Sequence, residues 1–156
     1  MAVKPIPDGY HSVTPYLYVS GAADALEFWK KAFGAVELFR MPGPGGIISH
    51  AEMKIGDSIV MLADENPHFG NKSPKSLGSA SCGFAIYTQD ADAMFAKAVA
   101  AGATVMRPMA DQFYGDRSGT VVDPFGHIWT VATHKEDLTP AQIDERFAAG
   151  TKSQKK

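Results

Sequence analysis

The stretch LYVSGAADALEFWKKAFGA, residues 17–35, contains the pattern that decides the fold. It opens with a short β-rich run and continues into apolar residues spaced for one face of a helix. A second stretch, AIYTQDADAMFAKAVAAGA at residues 85–103, repeats this order at an offset of 68 residues, with six of nineteen positions identical. We therefore interpret the chain as two copies of one unit.

Three more strands follow the helix in each copy. In the first copy their sequences are AVELFRM, ISHAEMKIG and SIVMLADE, and in the second ATVMRPMADQFY, GTVVDP and HIWTVATH. The turn-forming stretches PGPGG, IGD, GDRSG and DPFG separate them. The predicted class is α+β, with tandem βαβββ modules in a single domain. The predicted ranges are 12–65 for the first module, 66–81 for a linker loop, 82–134 for the second module, and 135–156 for a C-terminal helix and tail.

Capping residues predict where the helices begin and end. Candidate N-caps of the two module helices are Ser20 and Thr88, and candidate left-handed C-caps are Gly34 and Gly102. The stretch EDLTPAQIDERFAAG resembles a short helix that ends at Gly150. Its start is predicted from the N-cap, N1 and N3 pattern of Thr139, Pro140 and Gln142.

Composition narrows the class of protein. The formal net charge of −2 disfavours nucleic acid or an anionic membrane as the main partner. No run approaches the roughly 18 apolar residues of a membrane span, and the N-terminus has no apolar core of a signal peptide. Cys82 is the single cysteine. We expect a cytoplasmic protein, with Cys82 buried as a small apolar residue.

Tandem βαβββ modules, with the stretches YGDRSGTVVDPFGHIWTVATHKEDL and HAEMKIGDSIVMLADE, resemble the vicinal oxygen chelate superfamily, in particular its PhnB-like branch. This superfamily includes glyoxalase I, bleomycin-resistance proteins, fosfomycin-resistance proteins and extradiol dioxygenases. The resemblance covers about residues 12 to 137. It implies a curved eight-stranded mixed sheet around a cavity, helices on the outer face, and a homodimer.

The resemblance also implies where a metal would be held. Metal-dependent members place His or Glu at four cavity-facing strand positions, which correspond here to Thr14, Met61, Gly83 and Thr130. These four side chains are not ligands for a divalent cation, so no cofactor is predicted. The alternative is a non-standard divalent metal site of His50, Glu52 and His134, since residues two apart on a strand share one face.

Alternation along the strands predicts which side chains line the cavity. The positions predicted for the helix-covered face are Leu17, Val19, Val60, Leu62, Phe84, Ile86, Trp129 and Val131. The opposite face is semi-polar and aromatic. Together with the GDR turn it supplies the predicted ligand-binding residues Tyr16, Tyr18, Met61, Tyr87, Phe113, Tyr114, Arg117 and Thr130.

Two features near the C-terminus have structural alternatives. Asp116 and Arg117 are predicted turn residues, and they either contact a ligand or pair with each other or across a dimer interface. In the DPFG turn, Asp123 is expected to bond the backbone ahead of it. His127, just after this turn, is expected to bond the local backbone.

These observations leave three functions open. We favour a binder of a small amphipathic or aromatic molecule without the usual family metal. The alternative is a metal-dependent lyase, isomerase or oxygenase. A scaffold that uses only its dimer surface is the third interpretation, and the polar and aromatic cavity face disfavours it.

Overall fold

The eight strands and the helices follow the predicted βαβββ order twice. A computed structural model describes residues 3–153, so residues 154–156 of the predicted tail lie outside it. The elements are β1 (Tyr16–Val19), α1 (Ala22–Phe33), β2 (Val36–Pro42), β3 (Ile48–Ile55), β4 (Ser58–Asp64), α2 (Pro74–Leu77), β5 (Gly83–Tyr87), α3 (Ala91–Ala100), β6 (Thr104–Asp111), β7 (Asp116–Val122), β8 (Ile128–His134) and α4 (Pro140–Ser153).

Each module forms its own four-stranded mixed sheet. The strand orders are β1-β4-β3-β2 and β5-β8-β7-β6. In both sheets the first strand runs parallel to the last, and the other pairs are antiparallel. This arrangement confirms the predicted α+β class and tandem modules. In the described part of the chain, no helix is long and apolar enough to cross a membrane.

The predicted division of the strands into two faces is confirmed. Six of the eight residues expected under the helices are at most 5% exposed, and Phe84 and Ile86 are half-buried. Helices α1 and α3 pack against each other and against these faces, so both modules share one hydrophobic core. A single core means that the two halves stabilise each other.

A buried carboxylate joins the two modules inside this core. One oxygen of Asp123 accepts hydrogen bonds from both indole N–H groups, from Trp29 at 2.9 Å and Trp129 at 2.8 Å. The other oxygen accepts from the backbone N–H groups of Phe125 and His127, each at 2.9 Å. Asp123 therefore bonds the backbone ahead of it, as predicted, and also connects α1 of the first module to β8 of the second.

The predicted serine and threonine do not cap the two module helices: α1 is capped by a long-range contact, and α3 by the side chain of Asp90, which accepts from the N–H of Ala93. Neither Ser20 nor Thr88 is an N-cap; the N-caps are Gly21 and Asp90. Asp64, at the end of β4, accepts hydrogen bonds from the backbone N–H groups of Gly21 and Ala22. The prediction failed because a carboxylate 42 residues along the chain satisfies these donors.

The C-terminal ends of the helices agree with the predictions in part. Gly34 is a left-handed C-cap with φ of 67°, as expected. Gly102 has φ of 115° but follows the C-cap, which is Ala101. The last helix does not stop at Gly150, because α4 continues to Ser153. At the start of α4, the backbone N–H of Thr139 donates to the side-chain oxygen of Gln142, and the backbone N–H of Gln142 donates to the hydroxyl oxygen of Thr139. These are the expected hydrogen bonds of a capping box.

Strands β1 and β4 correspond to β5 and β8 at an offset of 69 residues rather than 68. At 69, buried Leu17 corresponds to Ile86, and Asp64 to Thr133. Asp64 accepts from the N–H of Ala22 and Thr133 from that of Ala91, so the two side chains serve equivalent positions at the helix starts. The offset of 68 moves the residues of β1 and β4 to the wrong face, but it is the correct offset between β2 and β6 and between β3 and β7.

The segment between the modules is folded against the first module. It contains a short 3-10 turn (Pro67–Phe69) and α2. The side chain of Glu65 accepts hydrogen bonds from the N–H of Ser73 and the hydroxyl of Ser76, and Ser73 is fully buried. Cys82, at the end of this segment, is exposed. The expectation that it is buried was wrong, because it precedes β5, an edge strand whose outer residues are uncovered.

Candidate functional site

The uncovered face of the first sheet carries a row of aromatic and polar side chains. Tyr16 pairs in register with Met61 of β4, Met61 with Glu52 of β3, and Glu52 with Phe39 of β2. Since directly opposite residues share one face, the row crosses the whole sheet. Tyr18 lies beside it, with its ring centre 5.2 Å from that of Tyr16.

A chain of hydrogen bonds runs through this row. The hydroxyl of Tyr16 lies 2.9 Å from Nδ1 of His50, and Nε2 of His50 lies 3.2 Å from a carboxylate oxygen of Glu52. The imidazole ring also lies against Tyr16 and Phe39, with ring centres 5.5 and 6.2 Å away. Because only Nε2–H can donate to the carboxylate, this geometry assigns Nδ1 as the acceptor from Tyr16.

The charge in this cluster is negative. A hydrogen bond from Tyr10 holds the pKa of Glu52 below its usual range; burial opposes this shift, and His50 adds to it. The same hydrogen bond to Glu52 raises the pKa of Tyr10. Burial, and then the neighbouring Tyr18, raise the pKa of Tyr16. At neutral pH Glu52 is therefore a carboxylate, and Tyr10 and Tyr16 are neutral phenols.

The first sheet thus brings together three of the predicted ligand-binding residues, Tyr16, Tyr18 and Met61, with His50 and Glu52. Tyr10 was not among the predicted ligand-binding residues. It precedes β1 and belongs to no strand or repeat, so no periodicity relates it to the sheet. Its position after the turn-forming PDG stretch gave no information about a contact with β3.

The uncovered face of the second sheet holds a separate cluster around Asp116. Its carboxylate accepts a hydrogen bond from the hydroxyl of Tyr87 at 2.7 Å and lies 2.7 Å from Nδ1 of His134. Asp116 is 6% exposed. Its hydrogen bond raises the pKa of Tyr87. Its hydrogen bond, followed by that of Asp137, raises the pKa of His134.

Other predicted residues of the second module also lie on this face. The hydroxyl of Thr130 is 2.9 Å from that of Thr120, and the hydroxyl of Tyr114 is 3.3 Å from that of Ser118. Phe113 packs instead against Phe147 of α4, with ring centres 5.3 Å apart. Thus Tyr87, Thr130 and Tyr114 share the uncovered face, and Phe113 contributes to the contact with the C-terminal helix.

Arg117 lies on the opposite side of its strand from Asp116. Its guanidinium makes a two-pronged contact with Asp92 of α3, at 2.6 and 2.7 Å, and a third bond to Asp111 at 3.2 Å. Both residues were expected in a turn, but both belong to β7. Of the alternatives left open for Arg117, pairing with Asp116 is wrong, because its partners are Asp92 and Asp111. The turn itself lies earlier, where the N–H of Gly115 donates to the carbonyl of Gln112.

The structure does not gather the residues of the alternative metal site. His50 and Glu52 are together on the first sheet, whereas both ring nitrogens of His134 bond aspartates, Asp116 and Asp137, in the second module. Within residues 3–153, no group of three His, Cys, Asp or Glu side chains could hold a metal ion.

A cavity of about 550 Å³ lies between the modules, beside the inner edge strand of the second sheet. The segment before β1, the turn between β3 and β4, and strand β5 form its wall. It brings Thr14 and Tyr87 to one cavity. Of the two hydrogen-bonded clusters, only the one on the second sheet reaches this cavity, through Tyr87.

A sequence profile of the glyoxalase/bleomycin resistance protein/dioxygenase superfamily matches residues 9–131, which include both modules. The chain belongs to this superfamily. The family fold agrees with the tandem modules and with the faces assigned to their strands.

Relatives of this superfamily member occur in bacteria and plants. An uncharacterised protein of Mycobacterium tuberculosis (strain H37Rv) is 46% identical over 141 residues, covering 88% of this chain and 81% of the relative. A crystal structure of an Arabidopsis thaliana gene product is 31% identical with a TM-score of 0.66, covering 79% of this chain and 98% of that one. A PhnB protein from Bacillus cereus shares the fold at 13% identity and a TM-score of 0.60, covering 79% and 99%.

Proposed function

We propose that this superfamily member binds a small amphipathic or aromatic molecule on the uncovered face of the first sheet. The observation that carries the proposal is the partly exposed cluster of Tyr16, Tyr18, His50 and Glu52. Tyr16, on the edge strand β1 at one end of the row, is 41% exposed. Aromatic faces beside oriented polar atoms are typical of small-molecule sites.

The charge of the cluster favours one class of ligand. Glu52 is ionised at neutral pH, because its pKa is lowered, and no lysine or arginine within residues 3–153 forms an ion pair with it. A flat aromatic cation would stack on Tyr16 and Tyr18 and donate hydrogen bonds to Glu52. An aromatic anion of the same size would be repelled by this carboxylate. We therefore expect a neutral or cationic ligand.

Two probes of matched size test this proposal, the cation benzamidine and the anion benzoate. Each would be titrated into isotope-labelled protein while the NMR signals of the His50 imidazole and the Tyr16 ring are followed. We expect saturable shifts with benzamidine only. Glu52→Gln should weaken benzamidine binding about tenfold, the size of one charge-assisted hydrogen bond. If neither probe shifts these signals, the proposal is wrong.

The second candidate is an enzyme of lyase, isomerase or oxygenase type. The hydrogen-bonded pair of Glu52 and His50 favours it, because a carboxylate that orients an imidazole is a common general-base arrangement. The test is deuterium exchange next to the carbonyl of a small ketone, followed by NMR with and without added Zn²⁺ or Mn²⁺. Exchange lost in His50→Gln would support the enzyme, and exchange that requires metal would support a metal-dependent site.

We also propose a homodimer that uses the outer edge of the first sheet. Strand β2 is the edge strand there, and four of its apolar side chains are between 46% and 60% exposed: Val36, Leu38, Phe39 and Met41. Exposed apolar side chains on a free edge strand are normally covered by another element or another chain. Light scattering should give twice the chain mass, and Leu38→Glu should give a monomer.

The proposed location is a reducing compartment such as the cytoplasm. It is supported by the single cysteine, Cys82, which has no partner within the chain for a disulfide. Neither nucleic acid nor membrane is proposed as a partner, in keeping with the net charge of −2. Fractionation of the native cells would test the location.

A further inference from the structure

The N-terminal arm, residues 3–15, crosses the uncovered face of the first sheet. At the end of the arm, the carbonyl of Pro15 accepts a hydrogen bond from the N–H of Met61 at 2.9 Å, which fixes the arm to β4. Nearer its start, a Cβ built on Gly9 would lie 3.5 Å from Cδ1 of Ile59. Ile59 shares the uncovered face with Met61, two residues along the strand, and is nevertheless only 7% exposed. The arm therefore covers Ile59.

This path brings Tyr10 to Glu52. In the register of β3 and β4, Met61 lies directly opposite Glu52, so Ile59 and Glu52 are diagonal neighbours on one face. Consecutive Cα atoms are about 3.8 Å apart, and Gly9 above Ile59 therefore leaves Tyr10 within reach of Glu52. The hydroxyl of Tyr10 donates to this carboxylate, which lowers the pKa of Glu52 and raises that of Tyr10.

Between these points the arm is held weakly. Residues 3–9 are all exposed, and the apolar side chains of Val3, Ile6 and Val13 are 92%, 58% and 84% exposed. The ion pair of Lys4 with Asp8 joins two residues of the arm itself and does not attach the arm to the sheet. A segment that buries few apolar side chains opens locally at little cost in free energy. The arm can therefore leave the sheet while the module stays folded.

Tyr10 has the two features that the proposed ligand requires, an aromatic ring and a hydrogen-bond donor for Glu52. The Glu52 side chain is 20% exposed beneath the arm, and its Oε1 lies 3.2 Å from Nε2 of His50. A second ring with a donor at the same carboxylate would overlap Tyr10. A cationic donor binds a carboxylate more strongly than a neutral phenol does, and stacking on Tyr16 and Tyr18 adds to this advantage.

We propose that the N-terminal arm is a strap that closes the first-sheet site, and that a ligand binds by displacing the ring of Tyr10 from Glu52. The inference rests on the proposed function and adds how access to that site is controlled. The strap pivots ahead of Pro15, which stays bonded to Met61. A ring without a donor group gains nothing at Glu52 and leaves the strap closed.

Benzamidine titrations of two Tyr10 variants test the strap. Tyr10→Phe removes the hydroxyl group and keeps the ring, and Tyr10→Ala removes both. We expect benzamidine to bind about threefold to tenfold more tightly to Tyr10→Phe than to the wild type, the range for one hydrogen bond, and more tightly still to Tyr10→Ala. Tyr10 precedes β1, so neither variant changes the core. Tyr114→Phe is the matched control, because its hydroxyl lies on the second sheet beside Ser118, and its affinity should be unchanged.

NMR follows the strap directly. At saturating benzamidine, the ring signals of Tyr10 should move to the positions of a solvated tyrosine. In Tyr10→Phe without ligand, the pKa of Glu52, read from its carboxyl ¹³C signal, should rise towards its ordinary value, because the hydrogen bond that lowers it is gone. An unchanged pKa of Glu52 would refute the contact on which the strap depends.

The outcomes separate the strap from the proposed function. Equal benzamidine affinity in the wild type and both Tyr10 variants would overturn the strap alone. Weaker binding in these variants would also contradict it, because Tyr10 would then be part of the wall that holds the ligand. If benzamidine binds neither the wild type nor Tyr10→Ala, the proposed function is wrong and the strap is wrong with it.

Discussion

Replacing Asp123 with alanine is the most direct test of how the two modules are joined. The carboxylate accepts four hydrogen bonds in a site that is 4% exposed. Alanine would leave two indole N–H groups and two backbone N–H groups without an acceptor. The two indole groups come from different modules, so the variant breaks a contact within the second module and one between modules at once.

The expected loss is large for a single substitution. A hydrogen bond to a charged group contributes about 1.5–3 kcal/mol, but four donors on one carboxylate are coupled and do not add. Each buried N–H group that is left without an acceptor costs about 1–3 kcal/mol, so the loss should exceed the cost of one such group and stay below the sum of four. For Asp123→Ala we expect about 4 kcal/mol. At 2–4 °C per kcal/mol for a chain of this size, the melting temperature should fall by about 12 °C.

Intrinsic fluorescence is the natural assay, because both tryptophans of the chain contact Asp123. Trp29 and Trp129 are at most 1% exposed, so the native emission should be blue and should shift to the red in the variant. Asp144→Ala, on the exposed face of α4, is the matched control and should change stability by less than about 0.5 kcal/mol. A melting temperature of Asp123→Ala within about 3 °C of the wild type would refute the reasoning.

Four further substitutions have defined outcomes. Gly115→Ala should lower the free energy of unfolding by about 2–3 kcal/mol in urea melts, since φ is 99° and the new Cβ would lie 2.5 Å from a backbone oxygen. Gly34→Ala, with φ of 67° and open space, should lose only about 1 kcal/mol. The hydrogen bond to Asp116 raises the pKa of His134, so its stabilisation exists below about pH 6.5 and is lost as the pH rises through the raised value. His134→Gln should therefore cost more stability at about pH 5.5 than at pH 8.5, and an equal cost at both would contradict this. Arg117→Ala should leave benzamidine affinity unchanged, because its side chain faces α3; a weaker affinity would place it in the site.

Local patterns predicted the strands, and the alternation of Leu17 and Val19 or of Trp129 and Val131 assigned their faces correctly. Strands and their buried faces depend on residues that are close in the sequence, so the spacing of apolar residues predicts them. Contacts between distant residues were not predictable in this way. The helix cap from Asp64 spans 42 residues, and no local signal indicates it.

The candidate site shows the same limit. The alternation of side chains along a strand correctly placed Tyr16 and Tyr18 on the uncovered face and His50 beside Glu52. The direction of Arg117 was not predicted, because the GDRSG stretch resembles a turn and its strand begins within that stretch. The segment between the modules places α2 against β1, and loop packing of that kind has no sequence period.

The shared core has a consequence for whether the two modules are interchangeable. At the offset of 69 residues that relates the starts of the two helices, Trp29 of α1 corresponds to Ala98 of α3, and both are fully buried. The two helices thus differ by an entire indole at equivalent positions of one interior. A chain of two first modules would carry an indole at both positions, and a chain of two second modules a methyl group at both. The two halves of this sequence are therefore complementary parts of one interior, and neither can replace the other.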